Sequence, residues 1–103
     1  MKSLISLLVF VYLSCQIKIV YADYELLQKN NCLACHYIDK RKYGPKLKEV
    51  ALKYVNDTNA KEKLAKKIKS GGSGVWGEDI MPPQSHVSNE DAIALAEYIL
   101  SLK

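Results

Sequence analysis

Cysteine is scarce in this chain, with three in 103 residues at Cys15, Cys32 and Cys35. That excludes the disulfide framework on which small exported domains usually rely. Methionine is scarcer still, at Met1 and Met81 only. Charge of one sign is also missing: 15 basic residues face 11 acidic ones, a net +4, well short of a nucleic-acid-binding signature. No apolar run approaches the roughly 20 residues needed to span a bilayer. There is no alternation of β-branched residues to suggest strands, no internal repeat and no low-complexity tract. These absences leave a small helical chain that needs some staple other than disulfides.

The N-terminus reads as an address. Met1-Lys2 is a short positive start, Leu4 to Leu13 is a ten-residue apolar run, and Val20-Tyr21-Ala22 places compact residues where a signal peptidase cuts. Residues 1–22 are therefore expected to be a cleaved export signal, leaving residues 23–103 as the mature domain. Two alternatives stand beside this one. The segment is retained as an N-terminal anchor, or Cys15 is lipidated, although Tyr12 and Leu13 are the wrong residues before a lipidated cysteine. The mature chain of 81 residues keeps Cys32 and Cys35 and carries 13 basic against 11 acidic residues. At that size one side-chain core is marginal.

Helical spacing recurs along the mature chain. Asp23 to Asn31 predicts a short helix with Tyr24, Leu27 and Asn31 on one side. Gly44-Pro45 marks a turn. Leu47 to Val55 follows, with Leu47, Val50, Ala51 and Tyr54 at 3–4 spacing. Asn59 with Glu62 resembles a capping box opening Ala60 to Ser70, which has Leu64, Ala65 and Ile68 on one face. The other face carries Lys61, Lys63, Lys66, Lys67 and Lys69, either a solvated surface or one that steers an acidic partner. Gly71 to Gly74 stops that helix. Residues 71–87 form a long irregular loop, and loops of that length in small domains are usually functional. Ser88 caps a last helix, Asn89 to Leu102, with Ala92, Ile93, Ala96, Ile99 and Leu100 facing inward.

The chemistry gathers in Cys32-Leu33-Ala34-Cys35-His36. Zinc would need four well-placed ligands, and the candidates are Cys32, Cys35, His36 and His86. With His36 directly after Cys35, one short turn would have to present three of them. A thioredoxin-like switch needs its Cys-x-x-Cys after a strand, and no strand is readable. The third reading is C-x-x-C-H as covalent haem attachment. Two thiols one turn apart add to two vinyl groups, and the adjacent histidine is carried to the iron. Haem would also supply the missing staple.

The sixth position of the iron separates a carrier from an enzyme. Met81 is the sole methionine of the mature chain and stands in the long loop, with Pro82 and Pro83 stiffening the backbone behind it. Its bland reading is loop filler packed on the core. Beside a haem motif it is the expected sixth ligand, with His86 its rival.

The segments CLACH, YGPKL, IKSGGSGVWG and MPPQ, in that order, resemble the small class I bacterial cytochromes c of the c-551/c-552 type. The likeness covers essentially residues 23–103. It implies an all-α fold of about four helices around one covalently bound haem c, with the N- and C-terminal helices crossing. By position it implies that Cys32 and Cys35 hold the haem and that His36 and Met81 ligate the iron. The Pro45 carbonyl would receive the other ring N–H of His36, and Trp76 would reach a haem propionate. Asn31 departs from a glycine frequent in relatives, Lys67 from a propionate-pairing arginine, and Gln84 from an asparagine near the methionine sulfur. Glu78 and Asp79 place two acids near Met81, which is expected to lower the redox potential.

With both axial positions filled, the iron has no open site, so an electron carrier is expected rather than an enzyme. The opposing class, an enzyme or gas sensor in which Met81 detaches, lacks a distal acid–base pair. The resemblance implies a periplasmic shuttle, and nothing in the sequence suggests more than a monomer. Its donor would be a quinol-oxidising complex and its acceptor a terminal oxidase or nitrite reductase, met through small transient contacts; no nucleic acid is involved.

Overall fold

The computed structural model describes residues 23–103, so the expected signal segment lies outside the described residues. Four α-helices and one 3₁₀ turn make up the described chain: α1 (Tyr24–Lys29), the turn Cys32–Ala34, α2 (Leu47–Lys53), α3 (Ala60–Ser70) and α4 (Asn89–Leu100). The only strand-like pairing among these residues is an isolated antiparallel bridge between Gly72 and Met81.

Each helix begins where local chemistry allows. The Asp23 carboxylate accepts the Leu26 N–H and opens α1, and the Ser88 hydroxyl accepts the Asp91 N–H and opens α4, so two orphan donors are satisfied. The capping box expected at Asn59 does not form. Asn59 has near-helical rather than extended backbone angles (φ −103°, ψ 16°) and makes no side-chain cap bond. The Asp57 carboxylate accepts the Asn59 N–H at 2.8 Å instead.

Leu26 and Leu27 of α1, Leu47 and Val50 of α2, Leu64, Ala65 and Ile68 of α3, and Ala92, Leu95, Ala96 and Ile99 of α4 form one core, closed by Val87 from the long loop. α4 is its centre and touches α1, α2 and α3. The inward face of α4 differs from the expected one by one position. Leu95 is fully buried, whereas Ile93 is 44 % exposed. Positions 92, 95, 96 and 99 make a single stripe at 3–4 spacing, and 93 falls beside it. Tyr24 is likewise largely exposed while Leu26 is buried. Among the described residues no helix is long and apolar enough to cross a membrane.

Candidate functional site

The chain leaves α1 through Asn31, a non-glycine residue in the left-handed region (φ 61°), a conformation asparagine tolerates better than most side chains. The next residues wind tightly: the N–H groups of Cys35 and His36 both donate to the Cys32 carbonyl, at 3.2 and 3.0 Å. Cys32, Cys35 and His36 thus leave one turn together, all half-buried. Both thiols are free. Burial, with the neighbouring Cys35 adding to it, pushes the Cys32 thiol above its ordinary value despite an opposing backbone hydrogen bond. That is the reverse of the depressed pKa a redox-switch thiol needs.

Residues 37–46 then fold back over the turn. The Gly44 N–H donates to the Cys35 carbonyl at 2.7 Å and the Leu47 N–H to the Tyr37 carbonyl at 2.9 Å. This brings the carbonyl of buried Pro45 to 2.8 Å from His36 Nδ1. A carbonyl only accepts, so Nδ1 carries the proton and Nε2 keeps its lone pair free for a metal. Gly44 is what permits the approach. A Cβ there would stand 2.5 Å from His36 Cε1 and 2.8 Å from Nδ1.

Met81 comes from the other side of the chain. Its N–H donates to the Gly72 carbonyl and its carbonyl accepts the Gly72 N–H, both at 2.9 Å, while the Gln84 N–H ties the following residues to the Ile68 carbonyl of α3. Gly71 turns the chain at φ 64°, and a Cβ there would overlap the Met81 carbonyl oxygen. These two glycines fix the positions of His36 and Met81. From the sequence they read only as turn and helix stop, because the crowding that demands them is long-range.

Between the two segments lies a cleft with about 1090 Å³ of empty space, its open mouth included. Cys32, Cys35, His36, Pro45, Trp76 and Met81, the six site residues expected from the sequence, all line it, and Leu47, Val50, Leu64 and Ile68 supply apolar walls. Lys67, also at the cleft, has its ammonium against Gly72. Arg41 and Asp79 join across the mouth at 3.6 Å, so part of the acidity expected beside Met81 is offset. Lys53 stacks 5.2 Å from the Trp76 ring centroid.

His86 is not a lining residue. Its Nε2 faces the Asn30 carbonyl at 3.3 Å, so its ring is satisfied by backbone. Among the described residues no three His, Cys, Asp or Glu side chains gather to hold a bare metal ion, which is the grouping the zinc alternative requires. A large apolar disc fits better. The cleft offers two thiols on one turn, an imidazole with a free Nε2, a thioether from the other segment, and apolar walls between them.

Known proteins resemble this chain over nearly all of the described residues. The profile of the family described as cytochrome c matches residues 24–103. Cytochrome c-552 of Nitrosomonas europaea is 52 % identical over 82 residues, covering 80 % of each chain. Cytochrome c-551 of Pseudomonas aeruginosa is 46 % identical over 82 residues, covering 79 % of this chain and 78 % of that one. The crystal structure of wild-type Nitrosomonas europaea cytochrome c552 superposes with a TM-score of 0.77 at 52 % identity, covering 79 % of this chain and all of that one. The class 1 cytochrome MtoD of Sideroxydans lithotrophicus superposes at 0.63 with 35 % identity, covering 76 % of this chain and 89 % of that one.

Proposed function

The chain belongs to the cytochrome c family, with the class I fold and one covalent haem c, and on that premise we propose that it is a periplasmic single-electron shuttle whose haem is held by Cys32 and Cys35 and ligated by His36 and Met81. The bound group would supply a one-electron couple, and a methionine ligand would raise its potential. The rest of the work falls to the protein. Cys32 and Cys35 fix the group to the turn through thioether bonds. The Pro45 carbonyl holds the His36 proton on Nδ1, orients the ring and raises its basicity. The Gly72–Met81 bridge holds the thioether at the cleft, and the apolar walls exclude water. The Trp76 indole N–H would reach the polar edge of the bound group.

Residues 1–22 act as a cleaved export signal, so that the mature chain begins at Asp23. The donor is a quinol-oxidising complex and the acceptor a terminal oxidase or nitrite reductase. The single observation that carries the site assignment is the hydrogen bond from His36 Nδ1 to Pro45, which leaves Nε2 as the free donor. Absorption spectra of protein made in a host with haem-attachment machinery test it. Covalent haem surviving denaturation, and a weak far-red band that disappears in Met81→Ala, are expected. Haem without that band overturns the Met81 assignment, and absence of covalent haem overturns the thioether assignment. Cell fractionation and the mass of the mature N-terminus check export and cleavage.

A further inference from the structure

His36 and Met81 stand on two separate stretches of chain. Residues 37–48 follow the histidine, and residues 71–84 carry the methionine. Each stretch is tied down within its own neighbourhood. The Gly44 N–H donates to the Cys35 carbonyl at 2.7 Å, the Lys42 N–H to the Gly44 carbonyl at 3.1 Å and the Lys48 N–H to the Ile38 carbonyl at 3.2 Å. On the other side the Gly72–Met81 bonds close the neck of the loop, and the Gly74 N–H donates to the Gly77 carbonyl at 2.9 Å. Among the described residues no backbone hydrogen bond joins one stretch to the other. Their polar link is the ion pair between Arg41 and Asp79.

The residues around Arg41 leave it for this contact. Lys40 and Lys42 place their ammonium groups 5.5 and 4.9 Å from the centroid of the Tyr37 ring. Arg41, between them, lines the cleft instead, and Asp79 lines it from the loop. Asp39, the carboxylate closest to Arg41 in sequence, is taken by Lys48 at 2.6 Å. Asp79 stands two residues before Met81, so movement of its backbone is passed at once to the neck that positions the thioether.

An outside ligand reaches the sixth position of the iron when Met81 swings away, and that motion parts the loop from residues 37–48. An ion pair across the mouth opposes it. Both side chains are more than half exposed, at 58 and 59 %, and exposed pairs are individually weak. The pair therefore biases the closed form without locking it.

We propose that Arg41 and Asp79 are positioning residues, a latch across the cleft mouth that holds the Met81 loop to the His36 segment and keeps outside ligands off the iron. This rests on the reading of His36 and Met81 as axial ligands and adds what keeps the second one in place.

Ferric holoprotein titrated with imidazole at about pH 8 tests the latch, because the probe is then mostly neutral and its approach is indifferent to charge substitutions. Loss of the far-red band reports Met81 leaving the iron. Asp79→Asn and Arg41→Gln are each expected to tighten imidazole binding about fourfold, within the range of an exposed ion pair. The double variant Arg41→Gln/Asp79→Asn gains no more than either alone, and Asp79→Glu, which keeps the charge, stays with wild type. Raising the ionic strength to about 0.5 M brings wild type toward Asp79→Asn. Glu78→Gln, the same change in charge one residue away, alters binding by less than about twofold. Equal tightening by Glu78→Gln and Asp79→Asn, or gains that multiply in the double variant, overturns the inference. Hydrogen exchange at the Gly72 and Met81 amides is a readout that needs no iron ligand. It quickens about fourfold in Asp79→Asn, and an unchanged rate overturns the latch. If wild type shows no far-red band, the Met81 assignment fails by itself, and the exchange rates still decide the latch.

Discussion

At Gly44 a single methyl group decides whether the His36 ring keeps its place. Gly44→Ala puts a carbon 2.5 Å from Cε1, and relieving such overpacking typically costs about 1–3 kcal/mol. The expected outcome is a lower melting temperature together with a changed ferric spectrum, because the ring moves with the strain. Asp57 gives a pH-dependent prediction. The Lys63 ammonium, then the Asn59 N–H, holds its carboxyl below the ordinary value of 3.8, and Lys63 is raised in return. A lowered carboxyl stabilises the fold above its unfolded pKa and loses that contribution as pH falls through the folded value. Asp57→Asn is therefore expected to lower the melting temperature slightly at pH 7 and to match wild type near pH 2, as thermal melts across pH would show. Asn59 looked like the cap in the sequence because of Glu62 three residues on. Asp57 won because its carboxylate reaches the Asn59 N–H and the Lys63 ammonium together. At the other side of the cleft, exchanging Glu78 and Asp79 for their amides removes two negative charges near Met81. The midpoint potential is expected to rise, and potentiometric titration measures it.

Among the elements, α4 concentrates the packing. Leu95 of α4 and Leu27 of α1 are both fully buried. Leu27→Ala and Leu95→Ala are each expected to cost about 2–5 kcal/mol in denaturant unfolding of the holoprotein. Ile93→Lys, on the exposed side of α4, should fall within about 0.5 kcal/mol of wild type. The helices were legible because 3–4 spacing of apolar residues and the cap Ser88 are local signals. Their inner faces were less so. Ile93 is as apolar as Leu95, and only the direction from which α1, α2 and α3 approach selects between them. The long loop was legible as a loop, but not its Gly72–Met81 bridge, since glycine and methionine carry no pairing signal in sequence.

For the molecule as a whole, the apolar cleft means that the core is unfinished without its haem. Val50, Leu64, Ile68 and Ile99 belong to the core and also line the cleft, so one wall of the cleft is the side of the core itself. Domains of this size have little stability in reserve. Cys32→Ala/Cys35→Ala, made without covalent haem, is expected to lose its cooperative thermal transition and most of its far-UV helical signal. The six residues that line the cleft were singled out by the motif, the methionine count and the family resemblance, which rest on residue type and order. The charge pattern of the surface was not. Five lysines on α3 looked like one basic face, but Glu97 meets Lys61 and Asp57 meets Lys63 once the chain is folded.

The paired hydrogen bonds between Gly72 and Met81 close residues 73–80 into a ring of chain clamped at its neck. Whatever is spliced into that ring beyond the clamp leaves the neck where it is. Doubling the ring with a flexible glycine–serine segment between Gly77 and Glu78 should cost only about 0.6 kcal/mol in closure entropy. The far-red band should persist, making this position a graft point for tethering the protein to an electrode.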